Sequence, residues 1–310
     1  MQTAPLYDDV AKAPDGGAAY WLTTEDGVRI RVGAWNKGSN GTVLLFPGRT
    51  EYVEKYGQAV GDLQTRGYAT LVVDWRGQGL ADRLLEDTAA GHVMHFTDYQ
   101  HDVRAMVAAA RELNMPEPFY LMSHSMGGCI ALRALIEGID VKAAAFSAPM
   151  WGILISAPMR PVALGLAWAS SGLGLGHKYA PGTNADSYVV TAPFEGNLLT
   201  TDPDMYAYMQ DQARAHPQLP LGGPSMNWLF QALTETRNLQ SMPMPAMPTL
   251  TYLGTNERIV DSLAVIKLMG KWTNGRLEMV DGAEHEVLME TPDIRKRTFD
   301  GVSEWFNAHS

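Results

Sequence analysis

Two serines near the middle of the chain have the surroundings that a catalytic nucleophile needs. In the segment FYLMSHSMGGCIALRAL, residues 119–135, Ser125 follows an apolar run and precedes a helical pattern, which predicts a strand-turn-helix elbow with Ser125 at its apex. Ser123 stands where the usual G-x-S-x-G pattern has its first small residue, and Gly127 supplies the second. A serine attacks a carbonyl only when a base removes its proton and a turn presents its oxygen. The pattern predicts Ser125 as the nucleophile, whereas a plain helix start with either serine as N-cap is the alternative.

A nucleophilic serine of this kind requires an acid and then a histidine later in the chain, each at the end of a strand. Glu257 follows one late apolar run and His285 follows the next, so the order Ser125, Glu257, His285 is the required one. Asp261 offers a second carboxylate after the same run as Glu257, although its position suits the N-cap of a helix. We therefore expect His285 to act as the base and Glu257 to orient it, with Asp261 as the alternative acid. The plainer interpretation of Glu257 is a surface salt bridge with Arg258.

Attack on an ester also needs two backbone amides that stabilise the developing oxyanion. We expect one from Met126, directly after the nucleophile, and the other from Arg49 in the loop after an early strand. In that loop Pro47 has no N–H, and Gly48 permits a close turn that points the Arg49 N–H inward. An ordinary β-turn is the alternative interpretation of Pro47-Gly48.

The remaining histidines predict no further catalytic or metal site. His92 and His95 have a spacing that suits a metal on a helix, but the neighbouring sequence offers neither a cysteine nor a third histidine. His124 is adjacent to Ser125, so we expect its side chain to diverge and to line the pocket or pack. We expect no metal and no cofactor, because serine-histidine chemistry needs neither.

The elements around these residues alternate between short apolar runs and helical patterns, which predicts a doubly wound α/β core with a mostly parallel sheet. Two early strands join at the hairpin signal Asp26-Gly27, and Thr97 with Gln100 fits a capping box. The predicted strands are Tyr20–Thr24, Val28–Trp35, Thr42–Phe46, Ala69–Val73, Phe119–Met122, Lys142–Phe146, Pro248–Leu253 and Arg276–Val280. The predicted helices are Tyr56–Arg66, Thr97–Leu113, Met126–Glu137, Asp261–Trp272 and Pro292–Phe306.

The alternation breaks for about a hundred residues after the sixth predicted strand. We interpret this as a mainly helical cap, residues 151–245, inserted into a core formed by residues 1–150 and 246–310. The apolar stretch Ala148–Leu175 is divided by two prolines and an arginine, so a buried or interfacial helix pair is expected rather than a membrane span. The cap tryptophans Trp151, Trp168 and Trp228 suit an acyl tunnel, a surface that adsorbs transiently to a membrane, or ordinary packing.

Composition suits a large core and disfavours a polyanion partner. The 310 residues are 46% hydrophobic, which suits a large core, and 34 acidic against 24 basic residues give a net charge of -10. That charge disfavours nucleic-acid binding. The single cysteine, Cys129, cannot form an internal disulfide. The segment Met1–Gly17 lacks an apolar stretch behind a basic end, so we expect no secretory signal and a cytoplasmic protein, with peripheral contact at the inner membrane surface as an option.

From about Thr42 to the C-terminal helix, the chain resembles the α/β-hydrolase superfamily and, within it, the bacterial lysophospholipases related to monoacylglycerol lipases. The similar segments are Phe46–Arg49, Asp74–Gly79, Gly91–Val93, Phe96–Tyr99, Ser123–Gly128, Ser147–Gly152, Gly222–Pro224, Glu257–Asp261 and Ala283–Glu286. The chain departs from the pattern at two positions: Ser123 replaces the usual glycine, and Glu257 replaces the commoner aspartate. Pro47 stands where many relatives carry histidine.

The resemblance implies an α/β-hydrolase fold and hydrolysis of a single-chain lipid ester, a lysophospholipid or monoacylglycerol, through a serine acyl-enzyme. The partner is then a small-molecule ester or lipid, and no particular oligomeric state is indicated. Arg49 and Arg76 are candidates to receive a head-group phosphate, although Arg76 also suits a bracing role in its own turn. Two alternatives stay open: a carboxylesterase for short-chain esters, and a hydrolase-like binding protein that does not react.

Overall fold

Nine strands form one sheet in the computed structural model, which describes residues 1–154, Gly165 and 174–310. In chain order the strands are β1 (Gln2–Ala4), β2 (Ala18–Thr23), β3 (Arg29–Trp35), β4 (Thr42–Phe46), β5 (Ala69–Asp74), β6 (Phe119–His124), β7 (Ala144–Ser147), β8 (Thr249–Gly254) and β9 (Gly275–Val280). Across the sheet the order is β1-β2-β3-β5-β4-β6-β7-β8-β9. In this order, neighbouring strands pair in parallel from β5 through β4 to β9. At the other side, β1, β2 and β3 pair antiparallel, and β3 also pairs antiparallel with β5. The predicted mostly parallel sheet is confirmed.

Helices cover both faces of this sheet. The described helices are α1 (Asp8–Ala11), α2 (Gly57–Thr65), α3 (Tyr99–Glu112), α4 (Met126–Ile136), α5 (Tyr188–Thr191), α6 (Pro203–Ala215), α7 (Met226–Ser241), α8 (Ser262–Met269) and α9 (Pro292–Ala308). Successive residues of a strand point to opposite faces, so Leu44 packs in the apolar cluster under α3 and α4, whereas Val43 and Leu45 pack under α2 and α9. The fold is the α/β-hydrolase arrangement that the resemblance implies.

Parallel pairing brings the carboxyl ends of the central strands to one edge. In register, Phe46 at the end of β4 lies opposite Ser123, and His124 at the end of β6 lies opposite Ser147. Gly254 at the end of β8 lies opposite Val280. The loops that follow these strands therefore meet, which is where ligands bind in open α/β sheets.

Two local predictions are wrong. The strand Gln2–Ala4 was not predicted, because three residues carry no readable period, and it makes the strand before the predicted cap the seventh rather than the sixth. The capping box is also displaced: the Asp98 carboxylate accepts the His95 N–H at 3.0 Å, whereas the Gln100 amide donates to the Ile130 carbonyl at 3.1 Å. Because the Gln100 side chain is already bonded to α4, it does not cap the N-terminus of α3.

The long segment between β7 and β8 contributes helices α5, α6 and α7 to the described part of the chain. Two of its tryptophans are buried, which agrees with ordinary packing among the three alternatives: the Trp151 indole donates to the Gly128 carbonyl at 3.0 Å, and the Trp228 indole donates to Tyr99 at 3.2 Å. The third, Trp168, and most of the predicted interfacial helix pair lie outside the described residues. No helix in the described ranges is long and apolar enough to cross a membrane.

Candidate active site

Ser125 lies in the turn between β6 and α4 with a backbone conformation that is rare for a residue with a side chain. Its φ is 49° and its ψ is -118°, a strained combination that persists only when the surroundings enforce it. The Ser125 N–H donates to the Ser147 carbonyl at 3.1 Å, and the Ser125 carbonyl accepts the N–H groups of Gly128 and Met150, each at 2.8 Å. These backbone bonds hold the elbow without using the Ser125 hydroxyl.

The elbow depends on small residues around it. A Cβ added to Gly127 would lie 2.1 Å from the Phe46 carbonyl oxygen, so any larger residue would push α4 away from β4. Ser123, the serine in the first small position, is fully buried in β6. Its hydroxyl has no hydrogen-bond partner within the described residues. The strand therefore accommodates a serine where the family pattern has glycine.

Ser125, His285 and Glu257 form one chain of hydrogen bonds. The His285 Nε2 lies 2.8 Å from the Ser125 Oγ, and the His285 Nδ1 lies 2.7 Å from the Glu257 Oε2. The other Glu257 oxygen accepts the N–H groups of Ile259 at 2.6 Å and Val260 at 3.0 Å. Burial opposes ionisation of Glu257, but the bond to His285 and these amides lower its pKa below the usual value. An ionised Glu257 selects the tautomer of His285 whose Nε2 can accept a proton.

The loops that carry Glu257 and His285 are fixed to each other. Asn256 donates its N–H to the Ala283 carbonyl at 3.0 Å. A Cβ on Gly254 would lie 2.3 Å from the same carbonyl oxygen, so the end of β8 can approach the second loop closely only as glycine. The pairing of β8 with β9 is thus continued beyond the strands, which sets the separation of the two side chains.

Asp261, the alternative acid, lies elsewhere. Its carboxylate accepts the N–H of Ala264 at 3.3 Å and caps α8, as its position before the helical pattern predicts. Arg258 does not pair with Glu257 but with Glu284, at 2.6 Å. The structure thus brings Glu257 and not Asp261 to the imidazole.

The loop after β4 adjoins the start of α4. The carbonyl oxygens of Phe46 and Pro47 border the position that a Gly127 side chain would take. The amides on either side of Arg49 have acceptors: Gly48 donates to the Glu51 carboxylate, and Thr50 donates to the Gln78 side chain at 3.2 Å. The predicted oxyanion donors, the amides of Arg49 and Met126, therefore lie on two adjoining segments.

A buried charge cluster lies beside the histidine, formed by Glu51, Lys55, His124 and Glu286. The Lys55 Nζ lies 2.5 Å from Glu51 and 2.6 Å from Glu286. The His124 Nε2 lies 3.3 Å from Glu286 and 3.7 Å from Glu51. Burial disfavours a charged imidazole, but the two carboxylates outweigh it and raise the pKa of His124. This cluster was not predicted from the sequence, although the spacing of Glu51 from Lys55 and the position of Glu286 next to His285 were signals for it.

The same cluster contains the described residues whose ligand atoms come close enough to hold a metal. Oxygen and nitrogen atoms of Glu51, His124 and Glu286 lie within 4.8 Å of one another. Lys55, however, already places its ammonium between the two carboxylates. The cluster is therefore better described as an ion-pair network, because the lysine supplies the positive charge that a metal would bring.

A cavity of about 220 Å³ opens at Ser125 and His285. Its apolar wall comes partly from the segment between β7 and β8, with Val189 on α5 and Met209 on α6. Ile259 contributes from the loop that carries Glu257. An ester bound at the serine would therefore contact apolar side chains on its acyl or alcohol part.

Comparisons with known proteins agree with this fold. Lysophospholipase L2 of Escherichia coli (strain K12) is 31% identical over 277 residues, which cover 86% of this chain and 81% of that protein. A soluble variant of monoglyceride lipase from Saccharomyces cerevisiae, solved with a substrate analog, has a TM-score of 0.71 at 19% identity and covers 93% of this chain and 94% of its own. A thermostable carboxyl esterase from Bacillus coagulans, in complex with glycerol, has a TM-score of 0.75 at 14% identity, covering 96% and 99%. The two structures show the shared fold.

The family comparison covers most of the chain. The family model Hydrolase_4, described as serine aminopeptidase, S33, matches residues 37–292. This range contains all of the strands from β4 to β9 and the three residues of the hydrogen-bond chain. The chain therefore belongs to this family of α/β-hydrolases and is a serine hydrolase.

Proposed function

We propose that this enzyme releases fatty acid from single-chain lipids, lysophospholipids or monoacylglycerols, through an acyl-enzyme on Ser125. The continuous chain of hydrogen bonds from Ser125 through His285 to Glu257, at the mouth of a partly apolar cavity, carries this proposal. The relative named lysophospholipase L2 supports the substrate class.

The geometry suits the two halves of such a reaction. As the Ser125 Oγ attacks the ester carbonyl carbon, the His285 Nε2 takes its proton, and the Glu257 carboxylate stabilises the imidazolium that forms. The amides of Arg49 and Met126 hold the oxyanion. Collapse of the tetrahedral intermediate breaks the ester bond, and His285 protonates the departing alcohol. In the second half, His285 activates a water that attacks the acyl-enzyme and releases the fatty acid with Ser125 restored.

The proposed division of the chain gives the cap a role in this reaction. We assign residues 1–150 and 246–310 to the catalytic core and residues 151–245 to the cap, because Val189 and Met209 from that segment form part of the cavity wall. We further propose that the protein acts in the cytoplasm or at the inner membrane surface. Any membrane contact would use cap residues other than the buried Trp151 and Trp228.

A short-chain carboxylesterase is the second candidate, and the size of the cavity favours it. Sites for drug-sized ligands usually measure about 300–1,000 Å³, whereas the described residues enclose about 220 Å³ at Ser125. A short acyl group would fill that space, whereas a long chain would need to extend out of it or widen it.

The test is a matched series of substrates: p-nitrophenyl esters from short to long acyl chains, a lysophosphatidylcholine and a monoacylglycerol. Preference for long chains with fatty acid released from the lipids supports the lipase, and rates that collapse beyond short chains support the esterase. Ser125→Ala should abolish every activity, and Ser123→Ala is the matched control, since its hydroxyl is buried without a partner in the described structure. Hydrolysis that survives in Ser125→Ala contradicts the mechanism, and a wild type that hydrolyses nothing supports a binding protein.

A further inference from the structure

Arg49 differs from the other cations near the site in having no carboxylate partner. Arg76 pairs with Asp26 at 2.7 Å and with Asp102 at 2.8 Å, and both partners neutralise it within the core. Lys55 is held between two glutamates. Arg49 makes no ion pair with any described residue, and residues 155–173 contain no aspartate or glutamate that could supply one. Of the two arginines that the sequence offered as phosphate ligands, only Arg49 thus has its charge unpaired by the described residues.

The contacts of Arg49 fix the position of the guanidinium but use only its Nη1 as a hydrogen-bond donor. Its Nη1 donates to the Gly222 carbonyl at 3.1 Å, and its guanidinium carbon lies 5.5 Å from the centre of the Trp228 ring. A Cβ on Gly91 would come within 3.0 Å of Nη1, so the guanidinium lies close against that backbone. The donors on Nε and Nη2 have no acceptor among the described residues, and Arg49 as a whole residue is partly exposed. They remain available to a ligand.

Arg49 also lines the cavity that contains Ser125 and His285. Pro220, two residues before the carbonyl that Arg49 binds, lines the same cavity. Burial lowers the pKa of Arg49 to about 10, which leaves the guanidinium protonated at neutral pH. Arg49 and the nucleophilic serine thus line one cavity, which Glu51, Lys55 and Glu286 line as well.

An unpaired, partly buried charge is costly to a folded protein, because the charge loses part of its hydration without gaining a partner. That cost is offset when the ligand brings the opposite charge. The planar guanidinium fork matches the oxygens of a phosphate group and can donate two parallel hydrogen bonds to it. A monoacylglycerol is neutral and offers no such group, whereas a lysophospholipid carries a phosphate on the same glycerol unit as its ester.

We propose that the Arg49 side chain binds the phosphate group of the substrate while the ester carbonyl of the same molecule reacts at Ser125. The site is then selective for single-chain lipids with a phosphate head group over neutral ones. This rests on the proposed function, because it assumes that a lipid ester occupies the cavity.

Arg83 supplies a matched control. It too is largely buried without a carboxylate partner in the described structure, but its two amino groups donate to the carbonyls of Gly77 at 2.7 Å and Gln218 at 2.8 Å. It lines a different cavity, of about 590 Å³, which Ser125 does not border. Arg83→Met therefore removes a comparable buried arginine at a distance from the nucleophile.

The test compares kcat/KM for a lysophosphatidylcholine with kcat/KM for the monoacylglycerol of the same acyl chain. In Arg49→Met the ratio of the two should fall about tenfold or more, as the loss of a charged hydrogen bond predicts, and Arg49→Lys should keep part of it. Arg83→Met should leave the ratio unchanged. An equal loss on both lipids in Arg49→Met, or a fall in the ratio for Arg83→Met alone, overturns the proposal.

Two further measurements are needed. One distinguishes a lipid head group from free phosphate as the ligand of Arg49, and the other distinguishes failure of the Arg49 site from failure of the proposed function. Inorganic phosphate that inhibits wild type while the lipid ratio in Arg49→Met stays unchanged would show a free-anion site and overturn the head-group assignment. If neither lipid is hydrolysed, the proposed function fails, and the Arg49 site is then tested by the Kd of a short-chain, monomeric lysophosphatidylcholine. That Kd should rise about tenfold in Arg49→Met, and an unchanged Kd contradicts the site.

Discussion

The imidazole rings of His124 and His285 lie with their centroids 4.7 Å apart, yet their surroundings give them different roles. His285 connects Ser125 with Glu257, and it must begin the reaction neutral if it is to accept the serine proton. His124 faces Glu286 and Glu51, and those carboxylates favour its charged form. When His124 is protonated, it and Lys55 face the two glutamates with opposite charge.

Replacement of Glu257 should separate the two candidate acids. Glu257→Gln keeps the shape of the side chain but removes the charge that orients His285, so kcat should fall by about 10³- to 10⁴-fold with the fold unchanged. Asp261→Asn is the matched control and should keep kcat, since asparagine is also a good N-cap for α8. Steady-state kinetics with circular dichroism measures both. A larger loss of kcat in Asp261→Asn than in Glu257→Gln would make Asp261 the acid.

Removal of Lys55 should destabilise the whole chain. Lys55→Met leaves Glu51 and Glu286 buried and facing each other without the ammonium, which should cost about 3–5 kcal/mol in the free energy of unfolding. Lys296→Met is the control, because its pair with Asp300 is largely exposed and should contribute at most about 1 kcal/mol. Urea unfolding of both variants measures the difference. Equal, small effects would show that the cluster does not depend on the lysine.

The pH dependence of stability should report the protonation of His124. Its pKa is raised above 6.5 in the folded chain by Glu286 and Glu51, against the effects of burial and of Lys55, and the ring of His285 also packs against it. Folding therefore gains from the bound proton below about pH 6.5, and the gain is lost as the pH rises through the folded pKa.

The measurement is the free energy of unfolding of wild type and of His124→Gln from about pH 6 to pH 9. The advantage of wild type should shrink as the pH rises. In a Glu286→Gln background the same comparison should depend less on pH, because the main carboxylate partner is gone. An advantage that grows with pH would contradict a raised pKa.

Because α4 approaches β4 closely at Gly127, a larger residue there should lower the stability of the fold. Gly127→Ala puts a methyl group 2.1 Å from the Phe46 carbonyl oxygen, so the free energy of unfolding should fall by about 1–3 kcal/mol or more, and esterase activity should fall with it. Gly61→Ala is the matched control in α2, where the new methyl group would lie 3.8 Å from Pro14 and the helix should gain about 0.5–1 kcal/mol. Thermal unfolding with an activity assay measures both, and a fully active, stable Gly127→Ala would contradict the packing.

The sequence predicts this fold well where strands are buried and apolar. The strand Thr42–Phe46 has the predicted bounds. The strand from Phe119 continues two residues beyond its apolar run, to His124, because its polar end pairs with β7. The three residues Gln2–Ala4 pair only with β2 at an edge, which leaves no pattern to read.

The site could be predicted as far as chain order and strand ends allow. These place Ser125, Glu257 and His285 at one edge of the sheet, and the structure brings the three side chains together. The charge cluster was less predictable, because only the spacing of Glu51 from Lys55 and the position of Glu286 next to His285 indicated it, and no sequence pattern brings those two segments together. Arg49 and Arg76 were likewise equal candidates to bind a phosphate, and only the ion pairs that Arg76 makes in the structure distinguish the two.

The most direct test of the central claim is covalent labelling with a long-chain alkyl phosphonate ester, mapped by peptide mass spectrometry. A serine activated by His285 should take up one phosphonyl group per chain on Ser125, whereas His285→Ala should slow the labelling strongly. Ser123→Ala should label like wild type, and Ser125→Ala should not label. A phosphonyl group found on another residue, or equal labelling in Ser125→Ala, would contradict the assignment of Ser125 as the nucleophile.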